Sequence, residues 1–424
     1  MKPGYKQTEV GVIPEEWEVV RLGDLIASTE YGSSAKSKPR GAVPVLRMGN
    51  LQDGRIDWTD LVYTDDPEEI RRYLLNAGDV LFNRTNTIDL VGKTSIYDGQ
   101  ERAIFAGYLI RVRPAETKLD ARYLNYFMNT SPARRHSLKV LSVAVGQANI
   151  NAAKLRSYPI PVPPSVAEQR AIAEALSDAD ALIESLEALI AKKRQIKQGA
   201  MQELLTGKRR LPGFSGEWET KAIGEICEAL RGVTYQPADL LPGDSDGSIR
   251  LLRSNNVQAS RITLDETHRV REARVSSEQL MKAGDILMCA ANGSRDLVGK
   301  SARFDVEDGF RYTFGAFMAV IRPRRPVDAD LMRFLLDSAR FREQVHLALA
   351  GSSINNLSPR AIAEFVLELP AEDDERRAIA AVLSDLDSEL EALEAKLHKA
   401  RAIKQGMMQE LLTGRTRLVP AEVS

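Results

Sequence analysis

The sequence has few of the residues that cross-link small proteins or hold metal ions. It contains two cysteines, Cys227 and Cys289, and four histidines in 424 residues. Two cysteines cannot form a disulfide framework, and the isolated histidines lack the spacing of metal ligands. We therefore expect a reduced, cytoplasmic setting and no metal site.

Long apolar runs and an excess of one charge are also missing. No stretch of about 18 apolar residues occurs, so we expect no membrane span. The N-terminal sequence MKPGYKQTEVGVIPEEW has no apolar core, which predicts no secretory signal. The net charge of −1 gives no support for nucleic-acid binding by the chain as a whole, so any such binding must depend on local patches.

Catalytic motifs are absent from the sequence as well. The stretch GSRDLVGKS at 293–301 has a glycine spacing one residue too long for a phosphate-binding loop, and its counterpart TNTIDLVGKT lacks the first glycine. The chain has no NPPY-type segment of an amino-methyltransferase. We expect a non-catalytic protein that binds no cofactor itself, although a dispersed nuclease centre stays open as an alternative.

One long segment occurs twice in the chain. Residues 168–211 begin EQRAIAEALSD, and residues 375–418 begin ERRAIAAVLSD, at a constant offset of 207 (375 − 168). The regions that precede the two copies also correspond, since VLRMGNLQDGRI is matched by LLRSNNVQASRI and DLVGKTSIYD by DLVGKSARFD. The order globule, helix, globule, helix is therefore an internal repeat.

Both copies carry apolar residues at alternating steps of four and three, which is typical of the a/d seam of a coiled coil. The seam residues are Ile172, Leu176, Ala179, Ile183, Leu186, Ile190, Ile379, Leu383, Leu386, Leu390, Leu393 and Leu397. Each copy is acidic in its first half and basic in its second, so an antiparallel pair sets acid against base. The predicted fold class is α+β: two mixed α/β domains joined by two long helices that form an antiparallel coiled coil, with a pseudo-twofold internal repeat.

The predicted domain boundaries follow from this repeat. They are 1–164 for the first globular domain, 165–207 for the first spacer helix, 208–371 for the second globular domain, 372–414 for the second spacer helix and 415–424 for a C-terminal tail. Within the first globular domain we predict strands at 42–48, 79–82 and 104–112. We also predict a helix that begins after Asp120 as its N-cap.

The C-terminal ends of the two helices are more alike than an internal strut requires. Their apolar residues either dock a partner subunit or pack on the adjacent globule; they are Met201, Leu204, Leu205, Met407, Met408, Leu411 and Leu412. Basic residues follow at 208–210 and at Arg415 and Arg417. They either contact phosphate or end the helix in solvent.

Four motifs carry a resemblance to a known family: GYKQTEVGVIPEEW, PVPPSVAEQRAIAEAL, KQGAMQELLTGKRRLPGFSGEW and KQGMMQELLTG. Over essentially its whole length, the chain resembles the specificity subunit of type I restriction-modification systems. The resemblance implies two target-recognition domains that each read one half of a bipartite double-stranded DNA target, and helices that set the spacer. It also implies two methyltransferase (modification) subunits and restriction/translocase subunits as partners, which would carry S-adenosylmethionine, ATP and Mg.

Loops after the predicted strands are where we expect the side chains that read DNA bases. Arg and Lys suit guanine, and Asn and Gln suit adenine, although asparagine also favours turns and arginine often pairs locally. In the first globule the predicted DNA-binding residues are Arg47, Asn50, Asn83, Arg84, Asn86, Lys93, Gln147, Asn149 and Asn151. In the second they are Arg253, Asn255, Asn256, Asn292, Ser294, Arg295, Lys300, Ser352, Ser353, Asn355 and Asn356.

The main alternative function is that of a structural adaptor. Such a protein would present two protein-binding globules on a rod and would bind no DNA. If the chain is an adaptor, changing the amino-acid sequence of a globule should not change which DNA sites are methylated.

Overall fold

The computed structural model describes residues 3–144, 146–350 and 355–418. The chain forms two compact units: Met1–Glu187 with Ala395–Ser424, and Ala188–Glu394. Because these boundaries fall inside the two long helices, each unit contains a globular region and one segment of each helix. The predicted residues Ser352 and Ser353 and the end of the predicted tail (419–424) lie outside the described residues.

A four-stranded antiparallel sheet forms the centre of the first unit. In spatial order its strands are Thr94–Ile96, Val80–Asn83, Leu109–Pro114 and Ile26–Tyr31. The helix Ala121–Met128 packs in the same core through Tyr123, Leu124 and Phe127. Its predicted N-cap is confirmed, since Asp120 Oδ1 accepts hydrogen bonds from the backbone N–H groups of Arg122 (2.9 Å) and Tyr123 (3.0 Å).

Short strands and helices complete the first unit. The remaining strands are Tyr5–Thr8, Gly11–Pro14, Glu18–Arg21, Val43–Leu46, Leu51–Gln52, Arg55–Ile56, Val62–Thr64, Thr85–Asn86, Ile104–Phe105, Ser142–Ala144, Gln147–Asn149 and Pro159–Val162. The other helices are Leu22–Leu25, Pro67–Tyr73, Ser131–Val140 and Ala152–Arg156, with a 3-10 turn at Met48–Asn50. The strand predicted at 104–112 is two strands, because a turn at Gly107 interrupts it.

The second unit has the same central sheet order. Its four antiparallel strands are, in space, Ser301–Arg303, Ile286–Cys289, Met318–Pro323 and Cys227–Arg231. The other strands are Trp218–Ala222, Leu240–Leu241, Ser248–Leu252, Val257–Gln258, Arg261–Ile262, His268–Arg271, Tyr312–Phe314 and Val366–Pro370. The helices are Ile223–Ile226, Pro326–Leu335, Ala339–Ala350 and Pro359–Glu364, with 3-10 turns at Pro237–Asp239, Ser254–Asn256, Glu272–Arg274, Ser277–Gln279 and Arg295–Leu297.

The first long helix is Val166–Leu204 and the second is Asp373–Leu411. Ion pairs join them within each unit. In the first unit Lys404 Nζ lies 2.6 Å from Asp180 Oδ1 and Arg401 Nη2 lies 2.6 Å from Glu187 Oε1. In the second unit, Lys193 Nζ lies 2.6 Å from Glu389 Oε1 and Lys197 Nζ lies 2.5 Å from Asp387 Oδ1. The order of these pairs is antiparallel, with the basic half of each helix against the acidic half of the other.

The predicted seam residues are all buried or half-buried. The first two in each helix pack in the core of a globular region: Ile172 and Leu176 in the first unit, Ile379 and Leu383 in the second. Burial there includes globule contacts as well as contacts between helices, so the coiled coil itself stays a prediction.

The helix ends that were candidates for partner docking pack on their own units. Leu204 and Leu205 are buried in the core of the second unit, and Leu411 and Leu412 in that of the first. Met201, Met407 and Met408 are partly buried against the same cores. These side chains are used in intramolecular packing, and partner docking by the four leucines stays a prediction.

Candidate nucleic-acid interface

A tight turn precedes the long central strand of the sheet in each unit. In the first unit the backbone N–H of Leu109 donates to the carbonyl of Ala106 at 2.9 Å. In the second, the N–H of Met318 donates to the carbonyl of Gly315 at 2.8 Å. The two turns occupy equivalent positions, since one follows the strand Ile104–Phe105 and the other follows Tyr312–Phe314.

A glycine that immediately follows a neighbouring strand lies directly against each turn. A Cβ atom on Gly32 would lie 2.4 Å from the carbonyl oxygen of Ala106, and one on Gly232 would lie 2.0 Å from that of Gly315. No side chain fits at either place, because these distances are shorter than van der Waals contact. Glycine therefore lets the strand end support the turn at close range.

Each turn presents an exposed aromatic residue, Tyr108 in the first unit and Phe317 in the second, which are 52% and 72% exposed. The carbonyl of Tyr108 accepts a hydrogen bond from Arg84 N (3.1 Å), and that of Phe317 accepts from Ala290 N and Ala291 N (2.9 Å each). Sequence reasoning missed both residues. The available signal was the alignment of IFAGYL with TFGAFM, just before the matched segments IRVRP (directly) and VIRPR (after one residue, Ala319).

Two predicted DNA-binding residues lie beside the turn of the first unit. The guanidinium of Arg84 lies 4.8 Å from the ring of Tyr31 and donates to the carbonyl of Gly107 at 3.2 Å. Asn149 donates to the hydroxyl of Thr85 at 2.7 Å, and its own strand pairs with Thr85–Asn86. The structure thus brings together residues that are 65 positions apart in the chain.

Predicted asparagines also gather at the turn of the second unit. The backbone N–H of Asn292 donates to the carbonyl of Asn355 at 3.2 Å, and the side chain of Asn355 donates to the carbonyl of Gly293 at 3.2 Å. Asn356 forms a β-bridge with Ala291. Asn292 directly follows Ala290 and Ala291, whose N–H groups donate to the carbonyl of Phe317.

Three predicted asparagines are buried and serve the fold. Asn50, Asn83 and Asn256 are 2%, 0% and 0% exposed. Asn50 Oδ1 accepts from Arg47 N at 2.8 Å and Asn256 Oδ1 accepts from Arg253 N at 2.9 Å, so each closes a turn. Their Nδ2 groups donate to backbone carbonyls. The prediction that these three side chains contact bases conflicts with their burial.

Several predicted cations are held by nearby oxygens. Arg47 pairs with the Asp60 carboxylate (2.9 Å), Lys93 donates to Gln52 Oε1 (2.9 Å), Lys300 donates to the carbonyl of Ser254 (2.6 Å), and Arg295 donates to the carbonyl of His346. These contacts fix the side chains, and each one leaves other N–H groups of the cation for a ligand.

The other predicted residues lie in strand ends and turns. Asn86 Oδ1 accepts from Thr87 N (2.8 Å), and Asn151 caps the helix Ala152–Arg156 by accepting from Lys154 N (2.9 Å). Gln147 is exposed in a strand, Asn255 lies in a 3-10 turn, and Ser294 precedes another.

Two further findings apply to the described parts of the chain. Within 3–144, 146–350 and 355–418, no group of three or more His, Cys, Asp or Glu side chains is arranged to hold a metal ion. Over the same ranges, no helix is both long enough and apolar enough to cross a bilayer.

Comparison with known sequences identifies relatives. Residues 14–197 match the family model described as the type I restriction modification DNA specificity domain. The MjaX type I restriction enzyme specificity subunit of Methanocaldococcus jannaschii is 35% identical over 233 residues, 53% of each chain. The EcoKI specificity subunit of Escherichia coli K12 is 26% identical over 197 residues, 46% of this chain and 42% of that one. These alignments span about half the length of the two relatives.

A longer match and a solved structure extend the comparison. The MjaVIII specificity subunit of Methanocaldococcus jannaschii is 21% identical over 426 residues, covering 96% of this chain and 94% of that one. The S subunit of a type I restriction-modification system from M. genitalium superposes with a TM-score of 0.63 at 14% identity, covering 93% and 96% of the two chains. At this identity the structural likeness shows the fold alone.

Proposed function

Because the chain belongs to the family of type I restriction-modification specificity subunits, we propose that it selects the DNA sequence on which such a complex acts. In this role it is non-catalytic. Methyltransferase and restriction/translocase partners would carry the chemistry, with S-adenosylmethionine, ATP and Mg. The chain itself would supply recognition and the geometry of assembly.

Each globular region reads one half of a bipartite target. One observation carries this proposal: the same sheet and the same turn are built twice, but with different polar side chains beside them. Arg84 and Asn149 lie at the first turn, whereas Asn292 and Asn355 lie at the second. Arg suits guanine and Asn suits adenine in the major groove, so the two surfaces fit different base sequences.

The long helices set the unread gap between the half-sites. Support comes from the ion pairs along them, such as Arg401–Glu187 in one unit and Arg194–Glu394 in the other. Each single exposed pair is worth well under about 1 kcal/mol, but several of matching sign favour one register over a shifted one. A fixed register would give a fixed spacing.

An exposed apolar stripe on the first long helix fits a helix of a methyltransferase subunit. Leu182, Leu189 and Ile196 are 48%, 38% and 45% exposed and recur every seven residues (189 − 182 and 196 − 189), so they share one helix face. The equivalent positions of the second helix hold Glu389, Lys396 and Ile403. The two helices therefore offer different surfaces to a partner.

Exchange of one globule tests the proposed function. Residues 21–160 are replaced by the equivalent region of another family member, and methylated sites are mapped in cells that also carry the partner methyltransferase. We expect one half-site to change while the other half-site and the gap stay the same. A change in both half-sites contradicts modular reading, and no dependence on the globule favours the adaptor alternative. Metal-dependent cleavage by the isolated chain would favour a nuclease.

A further inference from the structure

One exposed aromatic ring stands at the equivalent turn of each unit, between the loops assigned to DNA. We propose that Tyr108 and Phe317 contact the bases of the two half-sites and help to determine the sequence that each globule accepts. This inference rests on the proposed function and deepens it. Neither ring belongs to the Arg, Lys, Asn and Gln set on which base recognition was first predicted.

The backbone under Tyr108 is held from two sides. Ser33 N donates to the carbonyl of Phe105 at 2.8 Å, and Ala106 N donates to the carbonyl of Leu46 at 2.9 Å. Arg84 N then binds the carbonyl of Tyr108 itself. A ring on such a fixed turn loses little conformational freedom on binding, which lowers the cost of inserting it into a groove.

The second unit repeats these hydrogen bonds with different residues. Val233 N donates to the carbonyl of Phe314 at 2.7 Å, and Gly315 N donates to the carbonyl of Leu252 at 3.0 Å. The turn below Phe317 is thus supported as the turn below Tyr108 is. The preserved feature is the position of an exposed aromatic on a rigid turn, in two globules whose surrounding side chains differ.

The surroundings of the rings match the chemistry of a base. An aromatic face stacks on a base or packs against a thymine methyl group, and neighbouring Arg and Asn side chains bind the base edges. An aromatic ring and at least one asparagine side chain occur at each turn. Phe310 is a contrasting case in the second unit: it is 49% exposed, but the guanidinium of Arg250 lies 3.3 Å from its ring centroid and covers one face.

The difference between the two rings favours DNA over a protein as their partner. The two helix segments 168–211 and 375–418 are identical at about two thirds of their positions. The turns instead carry a tyrosine in one unit and a phenylalanine in the other, and different polar neighbours. Two different half-sites require different side chains at the same position of the two turns, which is what Tyr108 and Phe317 and their polar neighbours provide.

The test uses the chain assembled with its methyltransferase partner. Methylation rates are measured on duplexes in which one base pair of either half-site is changed at a time. Tyr108→Ala should lower discrimination by roughly tenfold at the half-site read by the first unit, and Phe317→Ala should do so at the other. Tyr108→Phe and Phe317→Tyr keep the ring and should retain most of the discrimination.

Matched controls separate this effect from general damage. Phe310→Ala removes a half-exposed ring (49%) of the second unit that lies away from the turn, and Leu138→Ala removes an exposed apolar side chain (48%) of the first. Both should leave discrimination unchanged. The inference is overturned if the two alanine variants at the turns methylate with unaltered discrimination, or if they lose only their assembly with the methyltransferase. The globule exchange tests the proposed function independently, so the two failures are distinguishable.

Discussion

Arg417 donates two hydrogen bonds to the buried carboxylate of Glu168, from Nε to Oε1 at 2.5 Å and from Nη2 to Oε2 at 2.8 Å. In the second unit Arg210 binds Glu375 in the same bidentate way, at 2.6 Å for both contacts. The sequence had suggested phosphate or solvent contact for both arginines. Each instead ties the residues that follow one long helix to the beginning of the other helix.

Removing Arg417 should destabilise the first unit. In Arg417→Ala the carboxylate of Glu168, whose side chain is 3% exposed, loses its partner and stays buried. Breaking a buried pair from one side costs about 3 kcal/mol or more. Hydrogen–deuterium exchange should show faster exchange at the start of the first long helix.

A surface arginine nearby provides the control for that experiment. Arg415 lies 3.5 Å from Glu410, and the two side chains are 55% and 47% exposed. Arg415→Ala should cost less than about 1 kcal/mol, because solvent screens this pair. Equal effects of the two substitutions would contradict a structural role for the Arg417–Glu168 pair.

Lengthening both long helices should lengthen the gap in the DNA target. One heptad is inserted after Glu187 and one after Glu394, where each helix passes from one compact unit to the other. A heptad adds about 10 Å of helix and preserves the a/d phase, which corresponds to about three base pairs. Methylation mapping should find a longer gap with both half-sites unchanged; altered half-site bases would refute the role of the helices as a spacer.

A charge in the exposed stripe of the first long helix should weaken assembly. Leu189→Glu places a carboxylate on a face that we assign to a methyltransferase helix, and burying it there without a partner is costly. Titration of the methyltransferase, followed by native mass spectrometry, should show at least roughly tenfold weaker binding. Lys396→Glu changes the equivalent position of the second helix, which is already charged, and serves as the control. If both variants bind the methyltransferase as tightly as the unaltered chain does, the stripe is not part of the interface.

The cysteines should report on unfolding of the second unit alone. Both lie in that unit, and burial raises the pKa of the Cys227 thiol to about 12 and also raises the pKa of Cys289. The thiolate is the reactive form, so neither residue should react with iodoacetamide at pH 8 in the native protein. Unfolding restores a thiol pKa of about 8.5 and should permit labelling. Rapid labelling without denaturant would contradict this burial.

Sequence patterns predicted the elements that local chemistry determines. Asp120 begins a helix because its carboxylate can accept the first free N–H groups, whatever the rest of the chain does. The long helices, predicted at 165–207 and 372–414, are Val166–Leu204 and Asp373–Leu411. The spacing of apolar residues by four and three, together with high helix propensity, is enough to predict both helices.

Burial and pairing could not be inferred from residue type. Arg376 stands where the first repeat has Gln169. In the structure Arg376 is 1% exposed and donates to Asp328 Oδ1 at 2.8 Å, while Gln169 accepts a hydrogen bond from Asp120 N at 2.9 Å. Both side chains lie inside their own units. The difference between Arg376 and Gln169 therefore corresponds to different hydrogen bonds within each unit.

The duplication, the two long helices and the family resemblance could be predicted before the fold was known, because they depend on spacing and local identity. Which side chains reach the surface became clear from the folded chain. It buried Asn50 and Asn256 in the turns they close, and it placed Tyr108 and Phe317 on turns supported by distant strands. The physical reason is that exposure depends on contacts between segments far apart in the chain, which residue type and periodicity do not encode.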